Sequence, residues 1–193
     1  MRLTEQVHHH LQKIIQHGDT VIDATTGNGH DTLFLAECVG KTGEIFAFDV
    51  QQQALQSAQN HLQHHHIITP VTWIHAGHEH MLEHIPQTLH GQVKAITFNL
   101  GYLPHTDKSI TTCPDTTLPA LKTSLSLLKS GGTLSVLAYT GHDGGRDEAE
   151  SVKAWAETLH DDFDINITIP QNTKFSPPEW ICIQKLTSNP DYL

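Results

Sequence analysis

The chain has 193 residues, a formal charge of −10 at pH 7, 17 histidines and three cysteines. That length suits one domain with a sizeable core, taken here as 1–193, and no run is long and apolar enough for a membrane span. The acidic balance argues against a strongly basic nucleic-acid binder, although a local basic patch or protonated histidines can still meet phosphate.

Leu3, Val7, Leu11, Ile14 and Ile15 recur at helical spacing, and His17-Gly18-Asp19 stops that first helix. Met1-Arg2-Leu3-Thr4-Glu5 has no apolar signal core, so a cytoplasmic protein is expected. Thr20 to Ala24 reads as the first strand, and a helix follows over 30–38. Gly40 and Gly43 frame a turn into a second strand at 44–49. Residues 51–63 form a Gln- and Ala-rich helix, 71–75 a third strand and 78–85 a short helix. Val93 to Phe98 is a strong fourth strand, with a loop over 99–113. Pro114 opens a helix carrying Leu118, Leu121, Leu125 and Leu128, which Lys129-Ser130-Gly131-Gly132 ends. Thr133 to Tyr139 is the fifth strand, 146–159 a helix, and 163–169 and 180–186 the last two strands.

Alternating strands and helices predict an α/β fold of Rossmann-like type, a mostly parallel seven-stranded sheet with helices on both faces. The last two strands have no helix between them, so they are expected to pair antiparallel as a terminal hairpin. Cys38, Cys113 and Cys182 are odd in number and far apart in sequence. They fit neither a disulfide framework nor a zinc ribbon, and are read as buried small residues in a reducing compartment.

The most informative segment follows the first strand: Asp23-Ala24-Thr25-Thr26-Gly27-Asn28-Gly29-His30-Asp31-Thr32. Glycines serve where a backbone turns tightly beside a ligand, and the helix behind the turn presents free N–H groups. A dinucleotide site wants a third glycine where Thr32 stands. An acid at the strand end instead suits S-adenosylmethionine, with its ammonium and sulfonium, and repels the two phosphates of NAD. Asp49, at the end of the second strand, lies where ribose hydroxyls would be held. The plainer reading of the glycines alone is a tight strand–helix turn.

The fourth strand runs into Asn99-Leu100-Gly101-Tyr102. An amide oxygen there can accept hydrogens from an amine and aim its lone pair at a methyl carbon, since methyl transfer is an in-line displacement. A Tyr102 ring can pack on that acceptor and stabilise its growing positive charge. His105 and His142 are candidates for taking the amine's proton. The plainer alternatives are a turn-forming Asn99 and a core Tyr102.

Seven strands with this acid–glycine turn resemble the class I S-adenosylmethionine-dependent methyltransferases. The turn, Phe98-Asn99-Leu100-Gly101-Tyr102-Leu103-Pro104, and Tyr139-Thr140-Gly141-His142-Asp143-Gly144-Gly145 together resemble one family among them. That family has long been labelled rRNA methylases and includes bacterial tRNA wobble-uridine enzymes. Asn172 with Pro177-Pro178-Glu179 is similar to its tail.

The resemblance implies a homodimer that methylates the exocyclic amine of 5-aminomethyl-2-thiouridine in the tRNA anticodon stem-loop. It implies cofactor contacts from Asp23, Thr25, Gly27, Asn28, Gly29, Asp31, Thr32, Asp49 and Gln51, with Gly77 and His78 bordering the adenine. Asn99 and Tyr102 are then the catalytic pair. His105, His142, Arg146, Asn172 and Lys174 are placed on the substrate side, with Lys108 and Lys122 as lesser phosphate contacts. A small-molecule amine methyltransferase and a cofactor-binding module without catalysis are the alternatives.

Runs at His8–His10 and His64–His66, and His80 with His84 on one helical face, invite a metal reading. Consecutive helical positions point apart and no H-E-x-x-H pattern is present, so no metal is expected.

Overall fold

The computed structural model describes residues 1–102, 111–170 and 176–187. Seven strands, β1 (Thr20–Asp23), β2 (Glu44–Asp49), β3 (Val71–His75), β4 (Val93–Leu100), β5 (Leu128–Ala138), β6 (Phe163–Thr168) and β7 (Glu179–Lys185), form one sheet ordered β3-β2-β1-β4-β5-β7-β6. The first five run parallel, while β7 pairs antiparallel with both β5 and β6. The expected hairpin therefore forms, but its second strand is inserted beside β5. The strand order reverses between β1 and β4, and a sheet of this type opens a ligand crevice at the carboxyl ends of such strands.

Side chains alternate along the strands, so each face of the sheet has its own core. Ile22, Phe46, Ile96, Phe98, Leu134 and Ile181 pack under α4 (Met81–His84), α5 (Pro114–Leu127) and α6 (Gly145–Ala156). Val21, Ile45, Ala95, Leu137 and Cys182 pack under α1 (Leu3–Ile14) and α2 (His30–Val39). Leu62 of α3 (Gln52–His64) joins that second core. The apolar stripe of α1 behaves as its spacing predicts, with Leu3, Val7, Leu11 and Ile15 all buried.

Several local expectations are corrected. β4 continues through Asn99 and Leu100, which pair with Leu137 and Ala138, so the loop starts later than expected. Leu128 opens β5 rather than closing α5, and the following Lys-Ser-Gly-Gly stretch lies within the strand. A register shift between Val93 and Ala95 and the left-handed Gly131 (φ 70°) accommodate it. α6 ends at Ala156, three residues early. The short helix at 78–85 splits into a 3-10 turn, His78–His80, and α4, so His80 and His84 do not share one helical face. α3 ends at His64, and His66 has φ 55°, so the second histidine run leaves the helix. Cys182 is buried, Cys38 is half-buried and Cys113 is exposed. No described helix is long and apolar enough to cross a membrane.

Candidate active site

The turn between β1 and α2 is held from three sides. Thr26 N–H donates to the Phe48 carbonyl at 2.9 Å, and Ala24 N–H to the Thr97 carbonyl at 2.9 Å. Gly27 N–H donates to Asp49 Oδ2 at 2.8 Å, while Gln51 N–H donates to Oδ1 of the same carboxylate at 2.8 Å. Gly29 has φ 80°, and a Cβ on it would stand 2.7 Å from the Cβ of Ala58 and 2.8 Å from its Cα. It therefore supplies close α2–α3 contact. Asn28 is half-buried and accepts from the Ser57 hydroxyl at 3.3 Å.

Asp23 and Thr32, expected to contact a cofactor, are both 0% exposed and have no surface to offer a ligand. Thr32 Oγ1 donates to Asp23 Oδ2 at 2.6 Å and Thr25 N–H donates to Oδ1 at 3.2 Å, so the acid braces the turn from beneath. Thr32 thus ties helix to strand where a dinucleotide fold has its third glycine. Burial, helped by the charges of Asp31 and Asp49, pushes the Asp23 carboxyl up to about 7 despite these bonds. Burial also raises Asp49, against the hydrogen bonds from Gln51 and Gly27.

Asp31, also expected to contact a cofactor, is half-buried. It reaches across to β4, where its Oδ2 accepts from Asn99 Nδ2 at 2.5 Å, while Oδ1 accepts from His8 Nε2 at 2.7 Å. Burial works to raise its carboxyl, but these two bonds, with the charges of His8 and His30, hold it below the ordinary range. Asn99 is further tied to the turn, its N–H donating to Thr25 Oγ1 at 2.7 Å.

His78, expected to border the adenine, is buried, with its ring tilted against Phe98 at 5.3 Å. Burial lowers its pKa against Glu79, Ala24 and Asp49. The adjacent Glu79 folds back over Gly77, with carboxylate atoms 2.3–2.6 Å from where a Cβ would stand. Two surfaces were missed from the sequence. Val50, 54% exposed, extends an apolar face beside Asp49, and Tyr139, 39% exposed, stands at the end of β5. Their signal is an apolar or aromatic residue just past a strand's carboxyl end.

On the acceptor side, the Tyr102 ring meets His142 edge-on at 5.5 Å, and Tyr102 bridges Thr111. His142 Nδ1–H donates to the Asp143 carbonyl, and its Nε2 is buried without a partner among the described residues. Thr112 N–H donates to the Gly101 carbonyl, and the Thr112 and Thr117 hydroxyls both donate to buried Glu148 of α6. Arg146 is exposed at the start of α6 and Lys122 on α5. His105, Lys108, Asn172 and Lys174 lie outside the described residues. Among the described residues no cluster of three His, Cys, Asp or Glu could hold a metal ion.

The crevice fits an S-adenosyl cofactor. Left-handed glycines open the backbone, Asp49 stands beside an exposed apolar Val50, and the half-buried carboxylates of Asp31 and Asp49 favour a cation.

Comparisons with known proteins agree with the fold and with an S-adenosyl cofactor. The family described as "Putative rRNA methylase" matches residues 45–184. A chloroplastic tRNA (mnm(5)s(2)U34)-methyltransferase of Arabidopsis thaliana is 41% identical over 166 residues, 82% of this chain and 60% of its own length. The chain thus spans about three fifths of that curated relative. The crystal structure of a "putative rRNA-methylase" from Clostridium thermocellum has a TM-score of 0.91 at 39% identity, covering 96% of this chain and 98% of that one. A "putative methyltransferase" from Streptococcus mutans in complex with SAH has a TM-score of 0.86 at 34% identity, covering 96% and 99%.

Proposed function

The chain belongs to the family described as "Putative rRNA methylase", and from that premise we propose that it is an S-adenosylmethionine-dependent N-methyltransferase acting on the aminomethyl group of a tRNA wobble uridine. The observation that carries the amine acceptor is the setting of Asn99 at the carboxyl end of β4, anchored through its NH2 by Asp31, so that its amide oxygen is not used in that bond. The plant relative's name supports a wobble uridine as the nucleoside, and SAH in the Streptococcus mutans relative is what remains of the methyl donor after transfer.

S-adenosylmethionine, when bound, supplies an electrophilic methyl on a cationic sulfonium. The residues of the chain do the rest. Asp49 accepts from the ribose hydroxyls beside Val50, Glu79 borders the adenine, and the turn from Thr25 to Gly29 cradles the methionine portion. Asn99 Oδ1 accepts a hydrogen of the acceptor amine and directs its lone pair along the line of displacement. The Tyr102 ring stacks on the flipped-out base, as aromatic side chains do for unstacked RNA bases. An aliphatic amine is mostly protonated near neutrality. Of the described residues, His142 beside Gly101 is the candidate base for that proton, with its hydrogen on Nδ1 and a buried Nε2 that has no partner among those residues. Arg146 meets phosphate.

The charge of −10 favours a second reading, a small-molecule amine methyltransferase. Incubation with labelled donor and undermodified tRNA, followed by mass spectrometry of the nucleosides, separates the two. Methyl transfer to free amines with none to tRNA refutes the tRNA reading. The proposal carries with it a cytoplasmic homodimer, which light scattering of the purified protein tests for mass.

A further inference from the structure

The triple-histidine run of α1 has no part in the mechanism above, yet one of its members reaches the site. The His8 ring stacks flat on Phe34 of α2, with centroids 3.9 Å apart and planes 1° apart. From that seat Nε2 donates to Asp31 Oδ1 at 2.7 Å, and the other carboxylate oxygen accepts from Asn99. His9 is exposed, and His10 packs instead against Trp180 and Cys182.

We infer that His8 is a positioning residue, acting through Asp31 to hold the Asn99 amide with its oxygen presented to the acceptor amine. The inference rests on the reading of Asn99 as the group that orients that amine. A carboxylate has no hydrogen to give, so the Asn99 atom facing Asp31 is the NH2 and Oδ1 must point the other way. The terminal torsion of an asparagine is soft, so its orientation is set by whatever holds its NH2. Asp31 has side-chain torsions of its own, free to rotate where nothing holds them. A histidine fixed by stacking on Phe34 removes that freedom. The arrangement is built like a metal's outer shell, in which a second partner orients the group that touches the reacting centre.

Two variants separate the hydrogen bond from the packing. His8→Phe keeps a ring on Phe34 and removes the donor, while His8→Gln keeps a donor of similar reach. In the full chain labelled with 15N at asparagine, the Asn99 side-chain amide signal is identified by its loss in Asn99→Ala. That signal should move in His8→Phe and return toward its wild-type position in His8→Gln. With undermodified tRNA, His8→Phe should lower kcat by about 10-fold, near the lower end expected for loss of one hydrogen bond to a charged group. Cofactor Kd and tRNA KM should stay within about twofold, and His8→Gln should recover most of the rate. In an Asn99→Ala background, His8→Phe should add nothing further. An amide signal unmoved by His8→Phe overturns the inference, as does a rate loss that adds fully to that of Asn99→Ala. A wild-type protein that leaves tRNA unmethylated sinks the acceptor reading instead, and the amide signal still decides the role of His8.

Discussion

Replacing Asp23 with asparagine keeps the shape of the brace under the glycine turn and removes its charge. In the folded chain burial holds this carboxyl at about 7, against 3.8 for an unperturbed aspartate. The folded state therefore keeps a proton that the unfolded state has lost between about pH 4 and pH 7. Asp23 lowers the stability of the wild-type protein progressively across that window, and its effect is constant above it. A shift of about three units corresponds to about 4 kcal/mol at full development, at about 1.4 kcal/mol per unit. The carboxyl is 0% exposed, so solvent screening does not reduce that figure. Urea unfolding of wild type and Asp23→Asn in parallel, from pH 5 to pH 8, isolates the effect of this carboxyl. Groups common to both proteins cancel, including His10, His61 and His78, whose pKa values burial lowers. The stability of the variant relative to wild type should increase by about 3 kcal/mol between those two pH values. A difference that stays flat with pH, or that shrinks as pH rises, refutes the buried, proton-holding Asp23.

Asn99→Ala should leave cofactor Kd within about twofold and lower kcat by about 100-fold, because the amine loses its orienting acceptor. Asp49→Ala should instead raise cofactor Kd by about 30-fold, through lost ribose contacts and a loosened Gly27; equal loss of binding in both variants, by calorimetry, contradicts this division of roles. Gly29→Ala should cost more than about 2 kcal/mol and lower Tm by at least about 4 °C, since φ 80° strains an alanine and its Cβ would overlap the backbone of Ala58. Glu148→Ala should cost about 3 kcal/mol in chemical denaturation by stranding the Thr112 and Thr117 hydroxyls.

The elements and the turn were legible in the sequence because they are set by neighbours a few residues apart. The helical spacing of Leu3, Val7 and Leu11 and the unbroken apolar run of β4 are local facts, and so are the glycines placed after an acid. Boundaries failed where a distant partner overrode the local preference. Leu128 has the spacing of a helix but pairs with Val93 across the sheet, and Asn99 looks like a loop residue until β5 arrives beside it.

The carboxylates show the same division more sharply. Two acids at strand ends, Asp23 and Asp49, and one in the first turn of α2, Asp31, were visible in the sequence, and only packing gave them different jobs. Asp23 is sealed under the turn, Asp49 holds its rim, and Asp31 crosses to Asn99, 68 residues away. By itself the sequence determined an α/β chain with a nucleoside-cofactor turn and an amine-type strand end. The insertion of β7 beside β5, and the line from His8 through Asp31 to Asn99, were decided by which strands and helices became neighbours. Such contacts depend on the burial of two whole faces of a sheet, and no spacing along the chain encodes them.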